Sequence, residues 1–241
     1  MPDTRKGIDL FKKGLETMDL ILDEKQIQQF LDYYEILYEW NKVMNLTAIT
    51  EFEEVIQKHF IDSLSIIKVW KPQKEELLDI GTGAGFPGIP LKIAFPGLSV
   101  ILLDSLNKRI RFLEEVIRRL ELKDIKAVHG RAEECGREEA YRERFDICVS
   151  RAVAKLPTLA EYCLPYVKTG GYFIPYKSGN LKEELVLSEN AIKKLGAGIE
   201  QVNEFLLPGT DMERTFLLIH KLRPTPDKYP RRTGKPVKEP L

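Results

Sequence analysis

The apolar positions of this chain change their period near residue 70. Before that point they recur at helical spacing. In DEKQIQQFLDYYEILYEW, Ile27, Phe30, Leu31, Tyr34, Leu37 and Tyr38 share one helix face, with Asp23 placed as an N-cap. Thr50 and Glu53 of TEFE have capping-box spacing and predict a second helix running through VIQKHFIDSLSIIK, with NKVMNLTAIT as the loop between the two. From about residue 75, short apolar runs alternate with helical patterns. LLDI, SVILLD, IKAVHG, FDICVSRA and GGYFIPYK read as strands. PGIPLKIAF (begun by Pro87), NKRIRFLEEVIRRLEL and segments near 157–167 and 181–195 read as helices. This alternation predicts a mostly parallel sheet covered on both faces. IEQVNEFLL and TFLLIH are separated only by PGTDMER, too short for a parallel crossover, and predict an antiparallel hairpin at the sheet edge. KLRPTPDKYPRRTGKPVKEPL is rich in Pro, Lys and Arg, has no apolar period and is expected to carry no core packing. The pattern divides the chain into a helical extension (1–70), an α/β domain (71–222) and a basic tail (223–241).

Composition narrows the possibilities. A chain of 241 residues, 43% hydrophobic, can bury a sizeable core in one domain. Lys+Arg and Asp+Glu are both 37, giving a net charge of +0, which argues against nucleic-acid binding by bulk charge but leaves room for a local basic patch. Cys135, Cys148 and Cys163 form no C-x-x-C pair, and MPDTRKGIDLF does not read as a leader, so a reducing cytoplasm is expected. Cys148 and Cys163 are expected in the core and Cys135 in a loop or at the surface. No apolar run approaches the roughly 20 residues of a membrane span. His59, His129 and His220 lack metal-ligand spacing, so no metal is expected.

The candidate chemistry centres on LLDIGTGAGFPGIP. Gly81, Gly83 and Gly85 form D-x-G-x-G-x-G with Asp79, whereas Gly83, Gly85 and Gly88 form G-x-G-x-x-G. Glycines between a strand and a helix let backbone approach a nucleotide closely. Pro87 removes an amide where a pyrophosphate would sit, and Asp79 would repel that dianion. An ammonium and a sulfonium would instead be attracted by Asp79. Asp104 ends the next strand and suits ribose hydroxyls. The antiparallel final hairpin and the lack of a second βαβαβ half favour a methyl-donor site over a nicotinamide site. Gly88 then belongs to helix entry and packing.

These features sit within WNKVMNLTAIT, HFIDSL, DIGTGAGFPGIPL, LLDSLNKRIRFL, GRAEE, FDICVSRAVAKL and YPRRTGKPVKEPL. With them the chain resembles the bacterial small-subunit ribosomal RNA guanine-N7 methyltransferases, the glucose-inhibited division protein B family. The resemblance implies a Rossmann-like methyltransferase fold: a mostly parallel seven-stranded sheet with an antiparallel last strand, plus an N-terminal helical extension. It also implies S-adenosylmethionine as cofactor, S-adenosylhomocysteine as product, and 16S rRNA or a small-subunit particle as partner. The implied target is N7 of the guanine at nucleotide 527. Gly81 and Phe86 are implied to line the cofactor site, Ala132 and Glu133 to flank the adenine, and Arg151 to reach the same pocket.

Guanine N7 is a nucleophile that bears no proton, so positioning replaces general-base catalysis. The absence of N-P-P-Y after the fourth strand and of Pro-Cys agrees with that chemistry. No catalytic residue is required, and His59, Arg151 and Lys177 are the positioning candidates. Asp79, Gly81, Thr82, Gly83, Gly85, Phe86, Asp104, Ala132, Glu133 and Arg151 are the cofactor-binding candidates. Asn45, Lys108, Arg109, Lys177, Arg231, Arg232 and Lys235 are the RNA-binding candidates, the tail cations being the strongest in an otherwise charge-balanced chain. Tyr33, Tyr34, Tyr38 and Trp40 read as core aromatics, and a monomer is expected. A non-catalytic nucleotide- or RNA-binding module on the same fold is the alternative from a different class.

Overall fold

In the computed structural model, which describes residues 4–179 and 181–241, the strands are β1 (Glu76–Ile80), β2 (Ser99–Asp104), β3 (Ile125–His129), β4 (Phe145–Arg151), β5 (Val167–Ser178), β6 (Ala197–Leu206) and β7 (Glu213–Lys221). They form one seven-stranded sheet in the order β3-β2-β1-β4-β5-β7-β6. β1 to β5 pair in parallel, and β7 lies antiparallel between β5 and β6. The expected hairpin is present, with β6 at the edge. The first three residues of the helical extension and of MPDTRKGIDLF lie outside the described residues.

Alternate strand residues serve the two faces. Leu77, Leu102, Val149, Ile174 and Phe216 belong to one core cluster, and their neighbours Leu78, Leu103, Cys148, Phe173 and Leu217 to the other. This doubly buried pattern explains why the strands read as continuous apolar runs. GGYFIPYK is only the second half of β5. Against β4 the register jumps from Phe145↔Val167 to Ile147↔Tyr172. Gly170 has φ +90°, and a Cβ on Gly171 would meet the Asp146 carbonyl at 2.5 Å. The glycine pair therefore marks a bulge inside the strand, not its start.

α1 (Thr4–Thr17), α2 (Glu24–Met44) and the helical run at 52–68 cover the first face together with α5 (Gly88–Ala94) and α6 (Asn107–Arg119). Asp23 caps α2 in a reciprocal capping box with Gln26, whose side-chain amide also donates to the Ile93 and Ala94 carbonyls at the end of α5. Thr50 does not cap the next helix. Glu51 holds that position without a side-chain bond, and α3 (Phe52–Val55) is pinned by burial of Phe52 and Val55. The run then passes through a π segment, Ile56–Ile61, into α4 (Asp62–Leu64) and a 3₁₀ turn, Ser65–Lys68. π segments recur at functional sites because the extra residue redirects neighbouring side chains. Here the segment carries His59. Phe11, Phe30, Phe60, Tyr33 and Phe86 form a contiguous aromatic cluster joining these helices to the glycine loop.

The second face is covered by α7 (Ala132–Cys135), α8 (Leu156–Cys163), α9 (Lys182–Lys194) and the C-terminal segment. That segment corrects the expectation of an unpacked tail. Thr225, Tyr229 and Pro236 are buried. Arg142 donates to the Thr225 and Tyr229 carbonyls at 2.7 and 2.8 Å. Lys221 is wholly buried, donating to the Leu164 carbonyl and Thr225 Oγ1, and burial pushes its pKa down to about 8. Captured carbonyls and ion pairs hold this segment, which is why it shows no apolar period. Cys135 is also corrected: it is buried in α7 against Gly130, and burial pushes its pKa up. Cys148 and Cys163 lie in the core as expected.

Candidate active site

The C-terminal ends of β1, β2 and β4 open on one crevice, as parallel α/β sheets require. The loop after β1 crosses the end of β2, with the Gly81 and Thr82 amides donating to the Leu103 carbonyl at 2.8 and 3.2 Å. Gly81 and Gly83 have φ of +68° and +62°, and a Cβ on Gly83 would meet nothing nearer than the Gly81 carbonyl at 3.9 Å. Gly85 serves packing instead. A Cβ there would stand 2.7 Å from the Tyr33 hydroxyl and 2.5 Å from Ile89 Cδ1, so this glycine does not line the crevice.

Asp79 also differs from expectation. Its side chain lies behind the loop, fully buried, where Oδ2 accepts from Thr82 Oγ1 at 2.7 Å and the Gly88 amide at 2.9 Å. Oδ1 has no protein partner. Burial pushes its pKa up to about 6 against the opposing pull of those two bonds. Between pH 3.8 and about 6 the folded chain holds a proton that the unfolded chain has released, so this group's contribution to stability falls as pH rises. Relative to Asp79→Asn, the native chain should lose roughly 3 kcal/mol across that window. Urea unfolding at stepped pH measures the difference, and a native-minus-variant stability that rises with pH contradicts it.

A first cavity of about 540 Å³ lies above the loop. Gly81, Thr82, Gly83 and Phe86 line one side, with Asp104 at the end of β2. Asp104 Oδ2 accepts from the Gly83 amide and Arg109 Nη1, each at 3.0 Å, and Oδ1 from the Leu106 amide at 2.9 Å. Ala132 and Glu133 line the cavity after β3. Glu133 is mostly buried and accepts from the Gly234 amide at 3.0 Å.

A second cavity of about 530 Å³ adjoins the first, and His59, Arg151 and Ala152 line both. Arg151 leaves the end of β4 and donates to the Lys58 carbonyl at 3.0 Å, to Asp62 Oδ2 at 2.8 Å and to His59 Nδ1 at 3.1 Å. The Lys58 carbonyl lies 3.1 Å from the same Nδ1, and Nε2 faces Thr47 Oγ1 at 3.0 Å, so both ring nitrogens are held by polar partners. Burial and the Arg151 charge push the His59 pKa down to about 3, keeping the ring neutral. His59 stacks on Phe86 at 4.3 Å, and Arg151 lies over the same ring. Asp62 also binds Arg214, and Lys177 pairs with Glu184 at 2.6 Å. The second cavity thus carries Lys58, Arg151, Lys177 and Arg214 against Asp62 and Glu184.

Residues 26–213 match the family model GidB, described as rRNA small subunit methyltransferase G. The chain belongs to this family. A Ribosomal RNA small subunit methyltransferase G from Lachnoclostridium phytofermentans is 61% identical, covering 96% of this chain and 96% of its own. Another from Alkaliphilus metalliredigens is 54% identical, covering 96% of this chain and 98% of its own. Among solved structures, P. horikoshii TYW2 in complex with MeSAdo shares the fold, with TM-score 0.52 and 18% identity over 66% of this chain and 62% of that one.

Of the candidates read from the sequence of this family member, the first cavity gathers Gly81, Thr82, Gly83, Phe86, Asp104, Ala132, Glu133, Arg109, His59 and Arg151. Lys177 lies in the second cavity. Asn45 is the exposed left-handed C-cap of α2, and Lys108 reaches back to the Met44 carbonyl beside it. Arg231 is committed to the fold, its Nε and Nη2 donating to buried Glu161. Arg232 and Lys235 are exposed. Sequence reading missed Asp62, Glu184 and Arg214. Asp62 lies three residues beyond His59 on one helical face, a spacing that could have revealed it. Among the described residues no helix is long and apolar enough to cross a membrane, and no group of three or more His, Cys, Asp or Glu is placed to hold a metal ion.

Proposed function

We propose that the chain transfers a methyl group from S-adenosylmethionine to guanine N7 in 16S rRNA, at the nucleotide 527 that the sequence resemblance implies. The observation carrying this reading is the meeting of two cavities at His59 and Arg151, one suited to a nucleoside cofactor and one to a base. The residues of the first cavity fit the cofactor. A volume of about 540 Å³, the space left by the absent Cβ of Gly83 and a nearly buried carboxylate at Asp104 match a nucleoside bearing an amino-acid arm. The methyltransferase names of the relatives support the same reaction, and the MeSAdo bound to TYW2 supports the cofactor class. When bound, S-adenosylmethionine supplies an electrophilic methyl group on a sulfonium.

This chain's residues then have limited tasks. Asp104 accepts from ribose hydroxyls. His59, held neutral, cannot repel a sulfonium as an imidazolium would. Arg151, fixed by Asp62 and the Lys58 carbonyl, offers donors at the junction to the O6 edge of a guanine whose N7 lone pair attacks. No proton leaves N7 during attack, so no base is needed. Lys58, Lys177 and Arg214 line the acceptor cavity, and Asn45, Lys108, Arg232 and Lys235 offer exposed contacts for RNA further out. We place this activity in the cytoplasm, carried out by a monomer.

Primer-extension or mass mapping of 16S rRNA from cells lacking the protein tests the proposal. Loss of 7-methylguanine at that nucleotide is expected, and its retention overturns the reading. Asp104→Ala should weaken S-adenosylmethionine binding by roughly 1.5–3 kcal/mol, on the order of 10- to 150-fold, because a charged acceptor is lost. Calorimetric titration reads the change, and unaltered affinity removes Asp104 from the site.

A further inference from the structure

The C-terminal segment reaches the first cavity, and the family model's match ends before it, at residue 213. Gly234 and Val237 line the cavity on the side of Ala132, Glu133 and Tyr162. Their placement is fixed at several points. The Gly234 amide donates to Glu133 Oε1 and Thr233 Oγ1 to Glu134 Oε1, both at 3.0 Å. Thr158 Oγ1 donates to the Pro236 carbonyl at 3.0 Å, and Pro236 is buried. Arg231 is clasped by Glu161, which is 0% exposed. Within this fastened segment Val237 is 60% exposed. An apolar side chain held by rigid backbone at the mouth of a polar cavity is a surface without its partner.

We infer that residues 233–237 form the base-side wall of the nucleoside subsite, with Val237 covering the face of a purine ring. The inference rests on the nucleoside reading of the first cavity. Asp104 marks the ribose position at the end of β2, and the next strand end, with Ala132 and Glu133, lies beyond it toward the base. Gly234 is bonded to Glu133 itself, so the wall stands at the purine end and away from the amino-acid arm. A purine offers a flat apolar face, and covering it with an immobilised valine removes area from water on both sides at little entropic cost. The tail thereby acts on cofactor affinity, and its exposed cations, Arg232 and Lys235, project from the same fixed backbone.

The test uses the full chain with Val237→Asp and Val237→Leu. Val237 is exposed, so neither variant should disturb folding, and the melting temperature without ligand checks this. Calorimetric titration with S-adenosylmethionine and with 5′-methylthioadenosine, which lacks the amino-acid arm, is expected to show Val237→Asp weakening both by the same factor. That factor should be roughly tenfold or more, with Val237→Leu retaining native affinity. Native affinity in Val237→Asp overturns the wall while leaving the cofactor reading intact. Weakening of S-adenosylmethionine alone also overturns it, since the contact would then lie at the arm. Failure of the native chain to bind either ligand overturns the nucleoside reading and the wall together.

Discussion

Replacing Arg231 with alanine should lower the unfolding free energy by roughly 3–5 kcal/mol, because it strands a buried carboxylate. Glu161 sits in α8 with 0% exposure, and its oxygens accept from the Arg231 amide at 2.7 Å, Nε at 2.9 Å and Nη2 at 2.6 Å. Arg231 Nη2 also donates to the Glu239 carbonyl at 2.7 Å, closing the segment on itself. Once the guanidinium is gone, the carboxylate keeps one backbone donor and must either stay charged in a low-dielectric site or take up a proton. Arg231→Lys should recover only part of the loss, since an ammonium cannot make the two-pronged contact. The pair replaced together by leucines should regain most of it. Urea denaturation midpoints at constant m-value measure all three. A loss below about 1 kcal/mol in Arg231→Ala would mean that the clasp does not hold the tail, because that is the scale of an exposed ion pair.

The same clasp shows why the tail was illegible. Apolar periodicity reports segments that fold by burying a face, and it made β1 to β4 visible to within a residue. It placed β5, α2 and α6 with one end three or four residues off, α2 continuing through 41–44 where a loop was expected. The tail presents no such face. It is held by carbonyls captured by Arg142 and by the Arg231 pair, contacts between positions 83 to 87 and 70 residues apart that leave no local mark. Thr50 failed for the converse reason. Its capping-box spacing was present, but packing of Phe52 and Val55 decided where α3 begins.

The two strand-end acids illustrate a subtler limit. Asp79 and Asp104 read alike, each an acid closing an apolar run before a loop. The register pairs Asp79 with Leu102 and ends with Ile80 opposite Leu103. Asp79 is therefore still inside the sheet, pointing with Leu102 toward Gly88, where the loop and α5 close over it. Asp104 lies one residue beyond the end of β1 and meets the crevice. Knowing which acid emerges requires the register between strands, which neither run carries alone. The glycine spacing, in contrast, was informative because positive φ is a local requirement, and Gly81 and Gly83 meet it at the cavity.

Asp62→Ala should remove both stability and turnover. One carboxylate, only 5% exposed, pairs with Arg151 through Oδ2 and with Arg214 through Oδ1, whose side chains are 15% and 17% exposed. The residue thus ties the helical extension to the end of β4 and the start of β7. Without it, two largely buried guanidiniums face each other across the acceptor cavity with no counter-charge, at a cost of roughly 3–5 kcal/mol. Arg151 would still bond the Lys58 carbonyl and His59, but nothing would oppose its repulsion by Arg214. A displacement of about 1 Å at a positioning group costs on the order of 100-fold in rate, so single-turnover methylation of small-subunit RNA should fall by about that factor. S-adenosylmethionine affinity should fall much less, because Asp62 lines the second cavity and not the first. Asp62→Asn keeps an acceptor for one arginine and should fall between the two. Turnover unchanged in a folded Asp62→Ala chain would show that Arg151 needs no fixing, and equal losses in cofactor affinity and rate would show that the two cavities are not separate subsites.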